Sequence, residues 1–230
     1  MISTSAKRRK LAKPAFAPAD LAKTWQAVSL LLDYPNDEVA QRYALIKQEI
    51  AELPSTLKDP LLDFIEIAEA TDLRELQINY VDTFDITRKC SLFLSYYLHG
   101  DTRRRGVALV QFKQAYRKGG VEISDDELPD HLAVLCEFGA IHNQEIAWQL
   151  FNDNRIGIEM LRIALQDLRS PWLNVILALI ASLPPLDGSG EEAVLKLINE
   201  GPPTEEVGLD NTPYGMDPRA NPRPETGALL

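Results

Sequence analysis

Sulfur and imidazole are scarce in this 230-residue chain, which has two cysteines and three histidines. Cys90 and Cys136 stand alone, and no Cys-x-x-Cys pair occurs. No standard zinc spacing can be built from these five residues, so neither a metal nor a cofactor is expected. Isolated cysteines in apolar helical surroundings behave as small hydrophobes, and the chain reads as reduced and cytoplasmic. Long apolar runs are also missing. The most apolar segment, Trp172 to Leu183, falls short of the roughly 18 residues of a membrane span. Alternating apolar-polar runs are nearly absent, which excludes a sheet-based fold. Positive charge is in deficit: 24 basic residues face 34 acidic ones, a net charge of -10. That balance makes nucleic acid a poor default partner.

Helical spacing fills the rest. Helices are expected over Asp20–Leu32, Glu38–Leu53, Pro60–Ala70, Thr71–Phe84, Cys90–Leu98, Asp101–Lys118, Pro129–Leu150, Asp153–Leu168, Pro171–Leu183 and Glu191–Asn199. Leu73, Leu76, Tyr80 and Phe84 trace one apolar stripe. Tyr34-Pro35-Asn36-Asp37 reads as a turn. No repeat of fixed period is present, so a solenoid is not expected. The architecture predicted is all-α: one compact domain of about ten helices over residues 20–200. Residues 1–19 form a basic arm with Lys7, Arg8, Arg9, Lys10 and Lys13 and no acid. Removing those five from 24 leaves 19 basic residues against 34 acidic, net -15. Residues 201–230 hold six of the fifteen prolines and are expected to be disordered.

The stretch HGDTRRRG, His99 to Gly106, invites a phosphate-loop reading. It lacks the preceding strand and the Lys-Ser/Thr that such a loop needs. Gly100 instead suits a helix end and Asp101 the N-cap of the next helix. At about 100° per residue, Arg103, Arg104 and Arg105 fan over roughly 200° and cannot face one phosphate. Arg105 shares the face of Leu109, Phe112 and Tyr116. An arginine facing a core requires a carboxylate partner, and Asp82 and Asp85 are the candidates. Gly106 marks a place where another helix can approach closely.

In SDDELPDHLAVLCEFGAIH, Ser124 and Glu127 form a capping-box pattern, while Pro129 argues for a slightly later helix start. Acids crowd this helix N-terminus, which the macrodipole favours without any function. His131 with Asp130 or Glu127 is the one candidate acid-base group. No serine or cysteine has a convincing base, so no catalytic constellation is read and an enzyme is not expected.

Three elements together carry a resemblance: LLDYPNDEV (Leu31–Val39), YVDTFDITRKCSLFLSYYLHGDTRRRGVALVQFKQAYRKGG (Tyr80–Gly120) and ELPDHLAVLCEFGA (Glu127–Ala140). In order and spacing the chain resembles the nitrate reductase delta-subunit family, the NarJ-type molybdenum cofactor assembly chaperones, over roughly Leu21 to Leu183. The resemblance implies an all-helical cytoplasmic chaperone. Such a chaperone binds the N-terminal peptide of the apo nitrate reductase catalytic subunit and holds it competent for molybdenum cofactor insertion. It also implies a peptide site near a Pro-Asp-His element, here Pro129, Asp130 and His131; many relatives have an aromatic where this chain has His131. The expected peptide-binding residues are Asp130, Glu127 and Glu137 at the rim, His131 beside them, and Phe93, Tyr96 and Tyr97 on the floor. A monomer without membrane insertion is expected. The competing readings are a chaperone for another molybdoenzyme, a helical small-molecule enzyme using His131, and a nucleic-acid module using Arg103–Arg105 and the arm.

Overall fold

The computed structural model describes residues 12–124, 127–186, 188–201 and 203. The first eleven residues of the arm, Asp125, Asp126 and nearly all of the Pro-rich tail lie outside the described residues. Among the described residues the chain is all-helical, with α1 Pro18–Leu31, α2 Val39–Glu49, α3 Ser55–Glu69, α4 Leu73–Tyr80, α5 Leu94–His99, α6 Arg103–Lys118, α7 Leu132–Ile141, α8 Gln144–Asp153, α9 Arg155–Asp167, α10 Trp172–Ser182 and α11 Gly188–Glu200. A π-helical turn (Val81–Ile86) and a 3-10 turn (Arg88–Cys90) connect α4 to α5. No helix among the described residues is long and apolar enough to cross a membrane.

Helix α1 is the axis of the fold. It begins at Pro18, whose fixed φ suits a first turn. It buries two flanks because α7 packs on one and α10 on the other. Trp25 sits at its centre, fully buried. Its ring lies 4.9 Å from Phe151 and 6.5 Å from Trp148, and its Nε1–H donates to Ser182 Oγ at 2.9 Å. A buried indole needs such a partner, and α10 supplies it. Gln144 Nε2 donates to Pro18 O and Ser29 Oγ to Ala133 O, so α1 and α7 run antiparallel.

The last carbonyls of a helix have no partner within it. In α1 they accept from side chains of three other elements. Arg42 Nη1 reaches Leu30 O at 3.3 Å, Trp172 Nε1 reaches Leu31 O at 3.2 Å, and Tyr80 Oη reaches Leu32 O at 2.9 Å. The end of α1 is thereby fixed, and Asp33 and Tyr34 with it. Trp172 also gathers Phe64, Tyr80 and Phe84, with ring centroids 5.5, 5.6 and 5.5 Å away.

Several boundaries differ from expectation, each for a local reason. Helix α3 starts at Ser55, a turn before Pro60. The carbonyl that Pro60 leaves without its partner belongs to exposed Thr56, where water can replace the bond. The expected helix Pro129–Leu150 is two helices, because Asn143 caps α8 by accepting from Ile146 N at 2.9 Å. Pro129 and Asp130 precede α7, whose N-cap position is His131. Thr102, not Asp101, occupies the N-cap of α6. Gly106 is exposed with open space around it, so no helix approaches there.

Gly139 in α7 does carry a close approach. A Cβ there would come within 2.7 Å of both Trp25 Cε3 and Ala147 Cβ. Neither neighbour can move cheaply in a packed core, and overpacking costs roughly 1–3 kcal/mol. Gly139→Ala is therefore expected to lower stability by that amount, read as a lower urea midpoint with an unchanged m-value, while Gly106→Ala is neutral or stabilising.

Candidate functional site

Between α1 and α7 lies a groove of about 560 Å³. Gln26, Ser29 and Leu30 line it from α1, and Ala133, Val134 and Glu137 from α7. Leu32, Asp33, Tyr34 and Tyr80 line it where α1 ends, and Phe93, Glu127, Leu128 and His131 line it where α7 begins. The groove thus brings together four of the sequence-predicted residues: Phe93, Glu127, His131 and Glu137. Tyr34 and Leu128, each 43 % exposed, leave apolar surface at its edge.

The wall made by Phe93 and His131 is a short piece of extended backbone. The two residues form an isolated antiparallel bridge. Leu94 N donates to Asp130 O at 3.0 Å and Leu132 N to Leu92 O at 2.9 Å. The two rings meet edge to face, 5.2 Å apart.

Asp130 holds this wall in place and is fully buried. Its Oδ2 accepts from Ser95 N at 3.2 Å and from Ser95 Oγ at 2.5 Å. Helix α5 has no side-chain cap of its own. Asp130 supplies one from 35 residues away in sequence, where the macrodipole favours a negative charge. Arg105 Nη2 stands 3.9 Å from the same oxygen, and Arg105 Nε donates to Ser95 Oγ at 3.3 Å. The guanidinium also lies 5.6 Å over the Phe93 ring, a cation-π contact from behind the wall. Among the described residues, Asp130 Oδ1 has no hydrogen-bond partner.

This geometry corrects several expectations. Arg105 faces inward, but its carboxylate partners are Asp101 at 3.3 Å and Asp130, not Asp82 or Asp85. The π-helical turn leaves Asp82 and Asp85 exposed. Asp130 is not a rim residue; it lies beneath the wall. Tyr97 is also buried, its hydroxyl lying 2.9 Å from both Lys89 O and Ser91 O. Tyr97 and half-buried Tyr96 do not line the groove. Sequence reasoning missed Gln26, Leu30, Asp33, Tyr34 and Tyr80. The LLDYPND stretch was the available signal, but as a local pattern it reads only as a turn.

The groove is acidic. Asp33, Glu127 and Glu137 line it, with no lysine or arginine among the described residues. His131 does not offset them, because burial pushes its imidazole below the ordinary value, against the smaller opposing pull of Asp130 and Glu127. Among the described residues no cluster of His, Cys, Asp or Glu could hold a metal ion.

A family model described as nitrate reductase delta subunit matches residues 46–178. The chain belongs to the nitrate reductase delta-subunit family. Bacillus subtilis has a relative named "Probable nitrate reductase molybdenum cofactor assembly chaperone NarJ", 30% identical over 161 residues, covering 70% of this chain and 88% of the relative. The Escherichia coli K12 "Nitrate reductase molybdenum cofactor assembly chaperone NarJ" is 28% identical over 193 residues, covering 83% of this chain and 78% of the relative. "Nitrate reductase-like protein NarX" of Mycobacterium tuberculosis is 32% identical over 154 residues, 67% of this chain, yet the chain spans only 23% of its length. In this delta-subunit family member, the matched span includes Phe93, Glu127, His131 and Glu137. It begins after α1, so Gln26, Leu30, Asp33 and Tyr34 lie outside it.

Two outcomes follow for the wall. Asp130→Ala orphans the Ser95 amide and removes the α5 cap, at a cost of about 2–3 kcal/mol by urea unfolding; Asp130→Asn keeps an acceptor and loses less. For His131 the folded pKa is lowered, so the neutral ring's contribution is complete above the unfolded value of about 6.5. That contribution is lost as pH falls through the folded pKa. The stability gap between His131→Phe and wild type is expected to shift in favour of the variant below about pH 6.5, measured by urea titration at several pH values.

Proposed function

We propose that this chain is an assembly chaperone for a nitrate reductase, acting by binding and not by turnover. Its client is the apo catalytic subunit, recognised through the N-terminal peptide, which enters the groove between α1 and α7. One observation carries this reading: the groove sets three carboxylates, Asp33, Glu127 and Glu137, around apolar and aromatic side chains, without a lysine or arginine among the described residues. That pattern suits an amphipathic helix or extended segment with arginine or lysine beside apolar anchors. Leu30, Tyr34, Leu128 and Val134 would take the anchors, and Glu127 and Glu137 the cations. The names of the Bacillus and Escherichia relatives support the choice of client. Binding at the start of the client leaves its remaining chain free, so the client can stay open while cofactor is inserted. The chaperone works as a cytoplasmic monomer and is absent from the finished enzyme.

Calorimetry with a synthetic N-terminal peptide of the catalytic subunit tests the site. Two exposed ion pairs at about 0.5–1 kcal/mol each predict roughly 5- to 30-fold weaker binding for Glu127→Gln with Glu137→Gln at low salt. The difference shrinks as salt screens the rim. Equal affinity of the double variant and wild type at low salt would remove the rim carboxylates from the site. A pull-down from nitrate-respiring cells that never yields a molybdoenzyme catalytic subunit would remove the client.

A further inference from the structure

The acidic groove and the basic arm belong to one chain, and the arm is tethered beside α1, one of the two helices that wall the groove. Ala12 is held by Trp148, whose Nε1–H donates to the Ala12 carbonyl at 3.1 Å. Trp148 packs on Trp25, and the next residue of α1, Gln26, lines the groove. Lys7, Arg8, Arg9 and Lys10 lie two to five residues before this anchor. Extended chain spans about 3.3–3.6 Å per residue, so Lys7 reaches roughly 17 Å from Ala12. A helix with its side chains is only about 10–12 Å across, so the arm is long enough to pass around α1 or α7 into the groove. The charges are complementary. Residues 1–19 contain five cations and no acid, and among the described residues the groove is lined by three carboxylates with no lysine or arginine. Arg42 competes for one of them, touching Asp33 at 3.1 Å from outside the groove.

We propose that residues 2–8 of this chain occupy the groove between α1 and α7 when no client is bound, as an internal stand-in for the client peptide. The proposal rests on reading the groove as a peptide site. Tethering decides between the chain's own arm and other occupants. A segment on a short linker meets its site at an effective concentration in the millimolar range, so weak and salt-sensitive pairing is enough. The same weakness lets a client displace it. The arm then works as a competitor: it covers the apolar edge at Tyr34 and Leu128 in the empty chaperone and sets a threshold that a client must exceed.

The test uses the full chain with a nitroxide label on Ser5→Cys; Cys90 and Cys136 are buried and stay unlabelled. At low salt the label should broaden the amide signals of Tyr34, Leu128 and Glu137 and leave exposed Ile198 on α11 sharp. Charge reversal of the arm (Lys7→Glu, Arg8→Glu, Arg9→Glu, Lys10→Glu) should abolish the broadening, as should about 0.5 M salt. The charge-reversed chain should also bind the client peptide roughly 3- to 10-fold more tightly, as a competing population is removed. Broadening that is uniform, or that survives charge reversal, overturns the proposal. Client binding that is equal in both chains overturns it too, while leaving the groove as the client site. A label that docks as described in a chain that binds no client peptide upholds the arm contact and rejects the client reading.

Discussion

Asp130 brings a carboxylate into the interior, where it takes two hydrogen bonds from Ser95 and faces Arg105. A buried carboxylate is costly unless hydrogen bonds and a counter-charge compensate it. Here the compensation links three parts of the chain: the segment before α7, the first turn of α5 and the start of α6. The link fixes the register of the Phe93–His131 bridge and so the shape of one groove wall. The opposite wall depends on a different device. The end of α1 is fixed by Arg42, Trp172 and Tyr80, each donating to one of its last carbonyls. The groove is the gap between two ends that are each held by side chains from elsewhere in the chain. Holding it open does not fall to Glu127 or Glu137, and both carboxylates stay exposed along it.

Much of the fold is legible in the sequence because it rests on local rules. Helical periodicity locates all but one of the helices among the described residues, and Gly100, with φ of 55°, ends α5 as expected of a glycine there. The failures share a cause. Pro60 and Pro129 both read as helix starts. One lies inside α3, and the other sits just before the extended chain that pairs with residues 92–94. Proline excludes a donor; where the freed carbonyl then finds a partner is a matter of exposure and tertiary packing. The break between α7 and α8 turns on Asn143, which is a weak helix former mid-sequence and a strong cap once the chain turns there.

The lining of the candidate groove is legible by halves. Phe93, Glu127, His131 and Glu137 lie in stretches whose pattern is distinctive, and the groove unites them. Asp33 and Tyr34 reach it because α1 lies antiparallel to α7, a pairing of residues about a hundred positions apart. No local spacing encodes that. Arg105 illustrates the limit most plainly. Helical phase places it facing inward, yet its partners come from one turn earlier, Asp101, and from a segment that helical spacing assigns to a helix. Direction is readable from one helix, and partnership requires knowing where the next element lies.

The two thiols have a consequence for how the folded chain meets oxidants. Burial pushes Cys90 up to about 11 and raises Cys136 further still. Oxidation to sulfenic acid and disulfide exchange both begin from a thiolate at an accessible sulfur. At neutral pH neither sulfur is ionised to any useful extent, and neither is exposed. Oxidants that inactivate a reactive-cysteine protein would therefore find neither thiol accessible while the chain stays folded.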